Sequence, residues 1–259
     1  MIKATVNILL IFLFINSALK AQNIGPRVDH LTNAISLTSG YGHHAVKDEF
    51  ISQQKYSGNL VSFSIDWYKF HSSYQFHLWF YFVNSATIEN YNVSANMTTS
   101  NLALAYLYPI GTMMIFDKPL YISAGPVTEL SLYYRIQNIA RGGTAIFDAY
   151  SAATLISLSA SLNVTYPVLQ RMWLEAFMQS SLISLGGKYI DPIEKNNSPV
   201  KILTLIKAQD LKFDASIRYH VSKRFSLKGG YRFNLFRITA WDHLIVVSDN
   251  AYVSILVAI

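Results

Sequence analysis

The sequence has 259 residues, of which 51% are hydrophobic, 14% aromatic and only 14% charged. Soluble domains carry about 25% charged residues, so this composition excludes an ordinary soluble protein and favours a membrane protein. The formal net charge of +6 is spread along the chain in single residues, which excludes a nucleic-acid partner. The chain contains no cysteine, which excludes disulfides and a lipid anchor on an N-terminal cysteine.

The N-terminal segment has the features of an export signal. Lys3 supplies a positive start, "ILLIFLFI" (residues 8–15) supplies an apolar core, and small residues lead to a predicted cleavage after Ala21. An uncleaved anchor is the alternative, but this core is much shorter than the roughly 20 apolar residues that cross a bilayer as a helix. We therefore predict a signal peptide over 1–21, a periplasmic lead over 22–32 and one domain over 33–259.

The longest charge-free run after the signal covers residues 149–170 and alternates in polarity. From Ile156 to Thr165 every second residue is apolar, and the residues between are serine, asparagine or threonine. A period of two is the pattern of a strand, whereas a transmembrane helix would place these polar residues on all its faces. We predict a strand here.

The same alternation recurs along the chain, and we predict ten strands. Besides the run above, they lie near 33–41, 60–70, 74–82, 102–108, 119–135, 172–185, 207–219, 224–236 and 250–259. The connections between them alternate strictly between long and short. Long polar ones lie near 42–57, 84–100, 136–151, 186–206 and 237–249, short ones lie near 70–73, 166–171 and 220–224, and the one near 110–118 is intermediate.

Such alternation is typical of an all-β, ten-stranded antiparallel up-and-down transmembrane β-barrel with short periplasmic turns and long extracellular loops. Residues 210–233 then indicate which way the strands face. Apolar Leu211, Phe213 and Ile217 are predicted to face lipid, so the charges between them face the lumen. Turning this stretch over would cost on the order of 10 kcal/mol, because each basic residue at the membrane midplane costs roughly 2–4 kcal/mol. A soluble two-sheet sandwich is the alternative, but its outer faces would be polar.

The facing rule predicts a charge network inside the barrel. Its members are Asp66, Glu129, Glu175, Asp210, Lys212, Asp214, Arg218, Lys228 and Arg232. A three-residue turn at 220–222 would place Asp214 opposite Lys228 and Asp210 opposite Arg232, which avoids a like-charge pair. Because ten strands enclose little more room than their own side chains fill, we expect a filled lumen rather than a wide pore.

Asp66 and His77 are the best candidates for catalysis. A two-residue turn at 71–72 would place them directly opposite each other, with Ser62 or Ser64 nearby. A carboxylate that orients a histidine beside a hydroxyl is the arrangement of a hydrolase. The alternative, which we prefer, is a buried structural Asp–His hydrogen bond.

No metal site or cofactor is predicted. His43 and His44 are adjacent in the stretch "GYGHHAVKDEF", but neighbouring residues of an extended chain point apart, so a solvated loop is the expectation. The loops at 42–57 and 186–206 are the candidates for binding an extracellular ligand, since the second is the longest and carries Pro192 and Pro199.

The chain resembles the small outer-membrane β-barrels of Gram-negative bacteria over its whole predicted mature length. The Ala21–Gln22 junction and the turns "YPVLQRM" (166–172) and "YHVSKRF" (219–225) are most similar to those of Bacteroidota barrels. The resemblance implies an outer-membrane location, contact with outer-membrane lipid and recognition by the barrel insertion machinery. The chain departs from the pattern of such barrels at its C-terminus: they usually end in an aromatic residue, whereas the last residue here is Ile259.

For function, we expect a non-enzymatic outer-membrane protein with a side-chain-filled, charged lumen and five extracellular loops that serve binding or envelope structure. A barrel-embedded hydrolase of lipid or peptide is one alternative, and a narrow, porin-like solute channel is the other. The first would depend on Asp66 and His77, and the second on Lys228 and Arg232.

Overall fold

A computed structural model of the protein describes residues 33–48, 52–71, 73–85, 88–90, 93–141, 145–190, 200–240 and 243–259. The predicted signal peptide and periplasmic lead lie outside the described residues. In the part of the chain that the structure describes, no helix is long and apolar enough to cross a membrane.

The described residues form twelve strands. They are β1 (Asn33–Asp48), β2 (Ser52–Phe70), β3 (Gln75–Ser85), β4 (Ile88–Asn90), β5 (Val93–Ile115), β6 (Lys118–Arg141), β7 (Ala145–Leu169), β8 (Met172–Ile190), β9 (Lys201–Thr204), β10 (Ala208–His220), β11 (Phe225–Ile238) and β12 (Leu244–Ala258).

Ten of these strands close a barrel. Each pairs antiparallel with its neighbours, and β1 closes the ring because Leu37 lies opposite both Ile65 on β2 and Ile255 on β12. The short strands β4 and β9 continue the wall toward one rim: β4 lies between β2 and β5 beyond the end of β3, and β9 pairs with β8 beyond the start of β10. The predicted ten-stranded antiparallel barrel is confirmed.

The two rims of the barrel differ. Four short turns share one rim with the start of β1 and the end of β12, and we name it the turn end. One joins β2 to β3, and the others lie at 116–117, 170–171 and 221–224. The opposite rim is named the loop end. Ile259 donates its backbone N–H to the carbonyl of Asn33 at 3.1 Å, so the chain termini of the barrel are joined at the turn end.

The strands reach further toward the loop end than the alternation predicted. The predicted loop 42–57 contains the end of β1 and the start of β2, and the predicted loop 136–151 is strand on both sides of residues 142–144. Those loop boundaries were therefore wrong. The reason is that a paired ribbon that extends past the lipid needs no apolar face, so its sequence loses the period-two signal while its backbone pairing continues.

The outer surface is apolar around the ring. Exposed fractions are 52% for Phe63, 48% for Leu102, 51% for Ile156, 49% for Ile217 and 54% for Ile255, and the residues that alternate with them point inward. The predicted facing of residues 210–233 is confirmed, since Tyr219, Phe225 and Leu227 are likewise about half exposed. A continuous apolar exterior of this kind is the surface that lipid covers.

The lumen is divided into two layers. Toward the loop end, inward side chains from nine strands form a buried apolar cluster that we name the apolar layer. Its members are Val46, Tyr56, Ala95, Met97, Tyr133, Ala153, Leu155, Leu203, Ala208, Phe236, Ile238, Leu244 and Val246. Toward the turn end the lumen is lined by charged and aromatic side chains. The sequence predicted charges in the lumen but not this apolar layer.

A hairpin of β5 and β6 projects beyond the barrel at the turn end. Leu107 is the last residue of β5 that pairs with β3, and the paired residues 108–120, which we name the flap, continue past it. Phe116 and Asp117 form the tip with φ of 47° and 60°, a region that favours glycine and is rare for a phenylalanine. The predicted connection over 110–118 is thus mostly strand.

Candidate functional site: the charged vestibule

A cavity of about 110 Å³ fills the lumen between the apolar layer and the turn end, and we name it the vestibule. Phe70 and Gln75, which flank the turn between β2 and β3, line its outer part. The wall on the β8–β10–β11 side carries most of the charges, whereas β2 and β3 contribute aromatic side chains. These side chains face the lumen because they occupy the inward positions of the alternating strands. Which wall they lie on depends on the strand that carries them.

Glu129 is the centre of one part of the network. Its carboxylate accepts hydrogen bonds from the ammonium of Lys212, from Gln179 at 2.7 Å, from Asn101 at 2.5 Å and from Ser131 at 3.0 Å. The Glu129 side chain is completely buried. Lys212 also lies 3.5 Å from Asp210, so one ammonium serves two buried carboxylates.

Glu175 and Asp214 form the second part. Glu175 lies 2.8 Å from Arg218 and 3.4 Å from Lys228. Asp214 accepts a hydrogen bond from Arg232 at 3.1 Å and lies 3.9 Å from Lys228. The Tyr252 hydroxyl donates to Asp214 at 2.6 Å, and the Arg232 guanidinium lies over the rings of Tyr81 and Tyr252 at 4.7 and 5.1 Å.

The strand register predicted for this hairpin was wrong. Asp214 lies opposite Arg232, and Arg218 lies opposite Lys228, because His220 pairs with Ser226 and the turn is therefore centred on residue 223 instead of 221. A like-charge pair on neighbouring strands destabilises a sheet. Here the carboxylate of Glu175 on β8 lies between Arg218 and Lys228 and compensates for their repulsion. The residue that makes this pair possible therefore lies on a third strand.

Asp66 and His77 do meet, although not directly across the hairpin as predicted. Asp66 lies opposite Trp79 and Tyr68 lies opposite His77, yet His77 Nε2 and Asp66 Oδ1 are 3.0 Å apart along the diagonal. The imidazole is stacked between Tyr68, at 4.1 Å, and Trp79, at 4.4 Å between ring centroids. These contacts fix the ring within an aromatic stack.

The hydroxyl groups near this pair are arranged differently from those of a hydrolase. Ser64 donates to Asp66 Oδ2 at 2.9 Å, and Ser62 accepts from Asn250 at 2.6 Å. A nucleophilic serine must be hydrogen-bonded to the imidazole, with the carboxylate on the opposite ring nitrogen. Among the described residues, no hydroxyl is hydrogen-bonded to the His77 imidazole.

The expectation of a solvated loop at His43 and His44 was wrong. Both residues belong to β1: His43 is exposed and its Nδ1 lies 2.8 Å from the Gly58 carbonyl, whereas His44 is 1% exposed and faces the lumen at the edge of the apolar layer. No cluster of metal-ligating side chains is present among the residues that the structure describes.

Two features of the lumen were missed from the sequence. One is the way the predicted lumen aromatics contact His77: Tyr68 and Trp79 stack on the imidazole, and Phe177 meets Trp79 edge to face at 6.1 Å between ring centroids. The other is the apolar layer. A signal for the second existed, since Val46, Phe236 and Val246 occupy inward positions near the loop end of their strands, where polar residues were expected.

Most charges of the vestibule are paired, but both carboxylate oxygens of Asp210 are buried without a hydrogen bond among the described residues. The acidic members of the network lie within 4.0 Å of a basic side chain, and each basic member lies within 4.0 Å of a carboxylate. Such a network links side chains of β6, β8, β10 and β11 across the lumen.

No family model matches this chain, and no curated protein matches it. Two solved structures similar to it are outer-membrane barrels. The outer membrane protease OmpT from Escherichia coli has a TM-score of 0.50 and 10% identity, over 88% of this chain and 96% of that one. The translocator domain of the autotransporter NalP from Neisseria meningitidis has a TM-score of 0.52 and 9% identity, over 99% of this chain and 97% of that one.

The chain has the fold of the Gram-negative outer-membrane β-barrels. At this level of identity the likeness extends to the fold alone, and one fold hosts many activities.

Proposed function

We propose that this chain is an integral outer-membrane protein whose barrel is closed to solutes and whose loop end displays a binding or structural surface outside the cell. In this orientation the turn end faces the periplasm, as short turns do in barrels of this type. The observation that carries the proposal is the apolar layer, because buried apolar side chains from nine strands pack against one another inside the lumen. Outer-membrane lipid and the insertion machinery are the partners that such a protein requires.

The apolar layer is packed like a protein core. The Tyr133 and Phe236 rings stack at 3.9 Å between centroids, and Met97, Leu155 and Ile238 are each at most 1% exposed. Arg135, itself buried, places its guanidinium 4.6 Å above the Tyr56 ring. Because an ion that crosses such a layer would lose its hydration without compensating contacts, this packing opposes conduction.

The proposed binding surface includes the connection between β8 and β10, within the predicted loop 186–206. Three of its apolar side chains are strongly exposed: Val200 at 69%, Ile202 at 70% and Ile206 at 84%. Ile202 lies opposite the outward-facing Leu185 and so continues the apolar outer wall. Exposed apolar patches of this kind can mark contact sites. The predicted loop 42–57 remains the second candidate, now reduced to the tips of β1 and β2. Signal-peptide cleavage after Ala21 and the similarity to Bacteroidota barrels remain predictions from the sequence.

Planar-bilayer recordings test the closure. We expect the folded mature protein to insert without discrete conductance steps, because the apolar layer blocks the lumen. The variant Tyr56→Ala/Tyr133→Ala/Phe236→Ala removes three rings from that layer and is expected to conduct. The matched control Phe225→Ala/Leu227→Ala/Tyr231→Ala removes lipid-facing side chains and should stay silent. Conductance steps in the unmodified protein that change when Lys228 and Arg232 are neutralised would establish a channel instead.

Substitution of the Asp66–His77 pair separates the structural role from hydrolysis. We expect Asp66→Asn and His77→Phe to lower the free energy of unfolding by about 1–3 kcal/mol, the cost of unpairing a buried polar group. Turnover of a fluorogenic phospholipid ester and of a labelled casein should be at background for both variants and for the unmodified protein. Turnover by the unmodified protein that both substitutions abolish would show a hydrolase.

A further inference from the structure

The outer wall of the barrel carries an open groove of about 680 Å³ near the turn end. Its floor consists of Ala176 on β8, Ala215 on β10 and Gly229 on β11, which are outward-facing neighbours in the sheet. The absence of large side chains at these positions, on a wall that is otherwise covered by them, creates the depression.

The groove has walls on two sides. Ile217 and Tyr231 flank the floor on β10 and β11, and Ile115 and Phe116 of the flap lie on the other side. The flap is held in place because the Tyr166 hydroxyl donates to the Ile115 carbonyl at 3.0 Å and the Lys118 ammonium donates to the Val168 carbonyl. The groove is therefore bounded by two different parts of the fold.

The turns below the groove are basic. Arg171 lies in the turn between β7 and β8, and Lys223 and Arg224 lie in the turn between β10 and β11; all three are exposed. The His220 N–H donates to the Arg171 carbonyl at 2.8 Å, which holds the two turns side by side. The four described turns contain one carboxylate, Asp117 at the flap tip. None of these three cations forms an ion pair with a described residue.

The spacing between charge and groove matches one leaflet of a bilayer. Ala176 is the fifth residue after Arg171, a separation of roughly 17 Å along a strand. At a strand tilt of about 40° this corresponds to roughly 13 Å of depth. Half of a hydrocarbon core is about 15 Å thick, so the cations lie at headgroup level while the groove lies beside the acyl chains.

We propose that this groove and the adjacent turns form a binding site for one anionic phospholipid of the periplasmic leaflet. An acyl chain occupies the floor between the flap and Tyr231, and the phosphate is held by Arg171, Lys223 and Arg224. Charge complementarity selects an anionic headgroup over a zwitterionic one, since basic residues near a membrane surface attract anionic lipid. The inference rests on the proposed outer-membrane location.

Lipid selectivity measured by electron paramagnetic resonance tests the headgroup. The full mature protein is reconstituted in phosphatidylcholine membranes with spin-labelled phosphatidylglycerol or spin-labelled phosphatidylcholine, and the motionally restricted fraction is compared. We expect a preference for phosphatidylglycerol that falls about fivefold for each cation removed in Arg171→Gln, Lys223→Gln and Arg224→Gln, because one basic residue contributes about 1 kcal/mol. Lys69→Gln, an exposed lysine at the turn end of β2 that does not border the groove, is the matched control and should lower the preference much less than any of the three.

A groove-filling variant tests the acyl-chain site. A Cβ added at Gly229 meets only the Tyr252 carbonyl oxygen, at 3.8 Å, so Gly229→Leu enters the groove without a backbone clash. We expect it to remove about one restricted lipid per barrel, with either headgroup, while Ala160→Leu on the same outer wall leaves the number unchanged.

Two results would overturn the site: equal restriction of both headgroups by the unmodified protein, or an unchanged number of restricted lipids in Gly229→Leu. Heat-dependent gel mobility of the same samples distinguishes failure of the lipid site from failure of the proposed outer-membrane location. A barrel that shows the mobility shift but no lipid preference disproves the site alone. Protein that stays soluble without detergent disproves the membrane location itself.

Discussion

Replacing Lys212 by methionine is expected to lower the free energy of unfolding by about 3–5 kcal/mol, the cost of removing one partner from a buried ion pair. The change leaves Glu129 and Asp210, which are 1% and 3% exposed, without their shared cation. Glu129 keeps hydrogen bonds from neutral donors, but these do not neutralise its charge. Equilibrium unfolding by guanidinium in detergent, followed by tryptophan fluorescence, measures the difference.

Two further variants show whether the loss arises from unpaired charge. Lys69→Met removes an exposed lysine and should cost under about 1 kcal/mol. The triple variant Lys212→Met/Glu129→Gln/Asp210→Asn removes both carboxylate charges as well, and we expect it to regain most of the lost stability, because a neutral buried set is often as stable as a charged one. If Lys212→Met and Lys69→Met were equally stable, the network would have no structural role.

Truncation of Phe236 to alanine is expected to lower the free energy of unfolding by about 3–5 kcal/mol, because it opens a cavity in the apolar layer. Phe236 is 2% exposed and its ring stacks on that of Tyr133. The same unfolding measurement applies. Phe225→Ala is the matched control, since Phe225 lies on the same strand but is 50% exposed on the outer wall.

Lipid can fill the space left by Phe225, so its truncation creates no cavity and should cost only about 1–2 kcal/mol. A loss for Phe236→Ala no larger than that for Phe225→Ala would mean that the apolar layer is loosely packed. The bilayer recordings above would then be expected to show leak currents. The two measurements therefore examine one feature, the closure of the lumen, by independent means.

The period-two alternation predicted ten strands and which residues face outward, because a strand between lipid and lumen must place its apolar side chains on a single face. The charges were assigned to the interior for the same reason. Ile156–Thr165 and residues 210–233 are the clearest examples. Each assignment depends only on residues close together in the chain, and these are the parts of the fold that the structure confirms.

The pairing within the lumen was decided by the tertiary structure. The turn between β10 and β11 is centred two residues later than predicted, which places Asp214 opposite Arg232 instead of Lys228. The adjacent Arg218 and Lys228 are compatible because Glu175, from a different hairpin, lies close to both. The register predicted for Asp66 and His77 was also wrong, but the two side chains still meet because they reach each other diagonally.

The apolar layer and the outer groove also required the closed fold. Each strand contributes only one or two side chains to the layer, such as Val46 from β1 and Leu203 from β9, so no local pattern marks it. The groove depends on the side-by-side placement of Ala176, Ala215 and Gly229, which lie on three strands. Alternation along the chain fixes which face a residue occupies, whereas its neighbours on that face depend on register and closure, which long-range pairing sets.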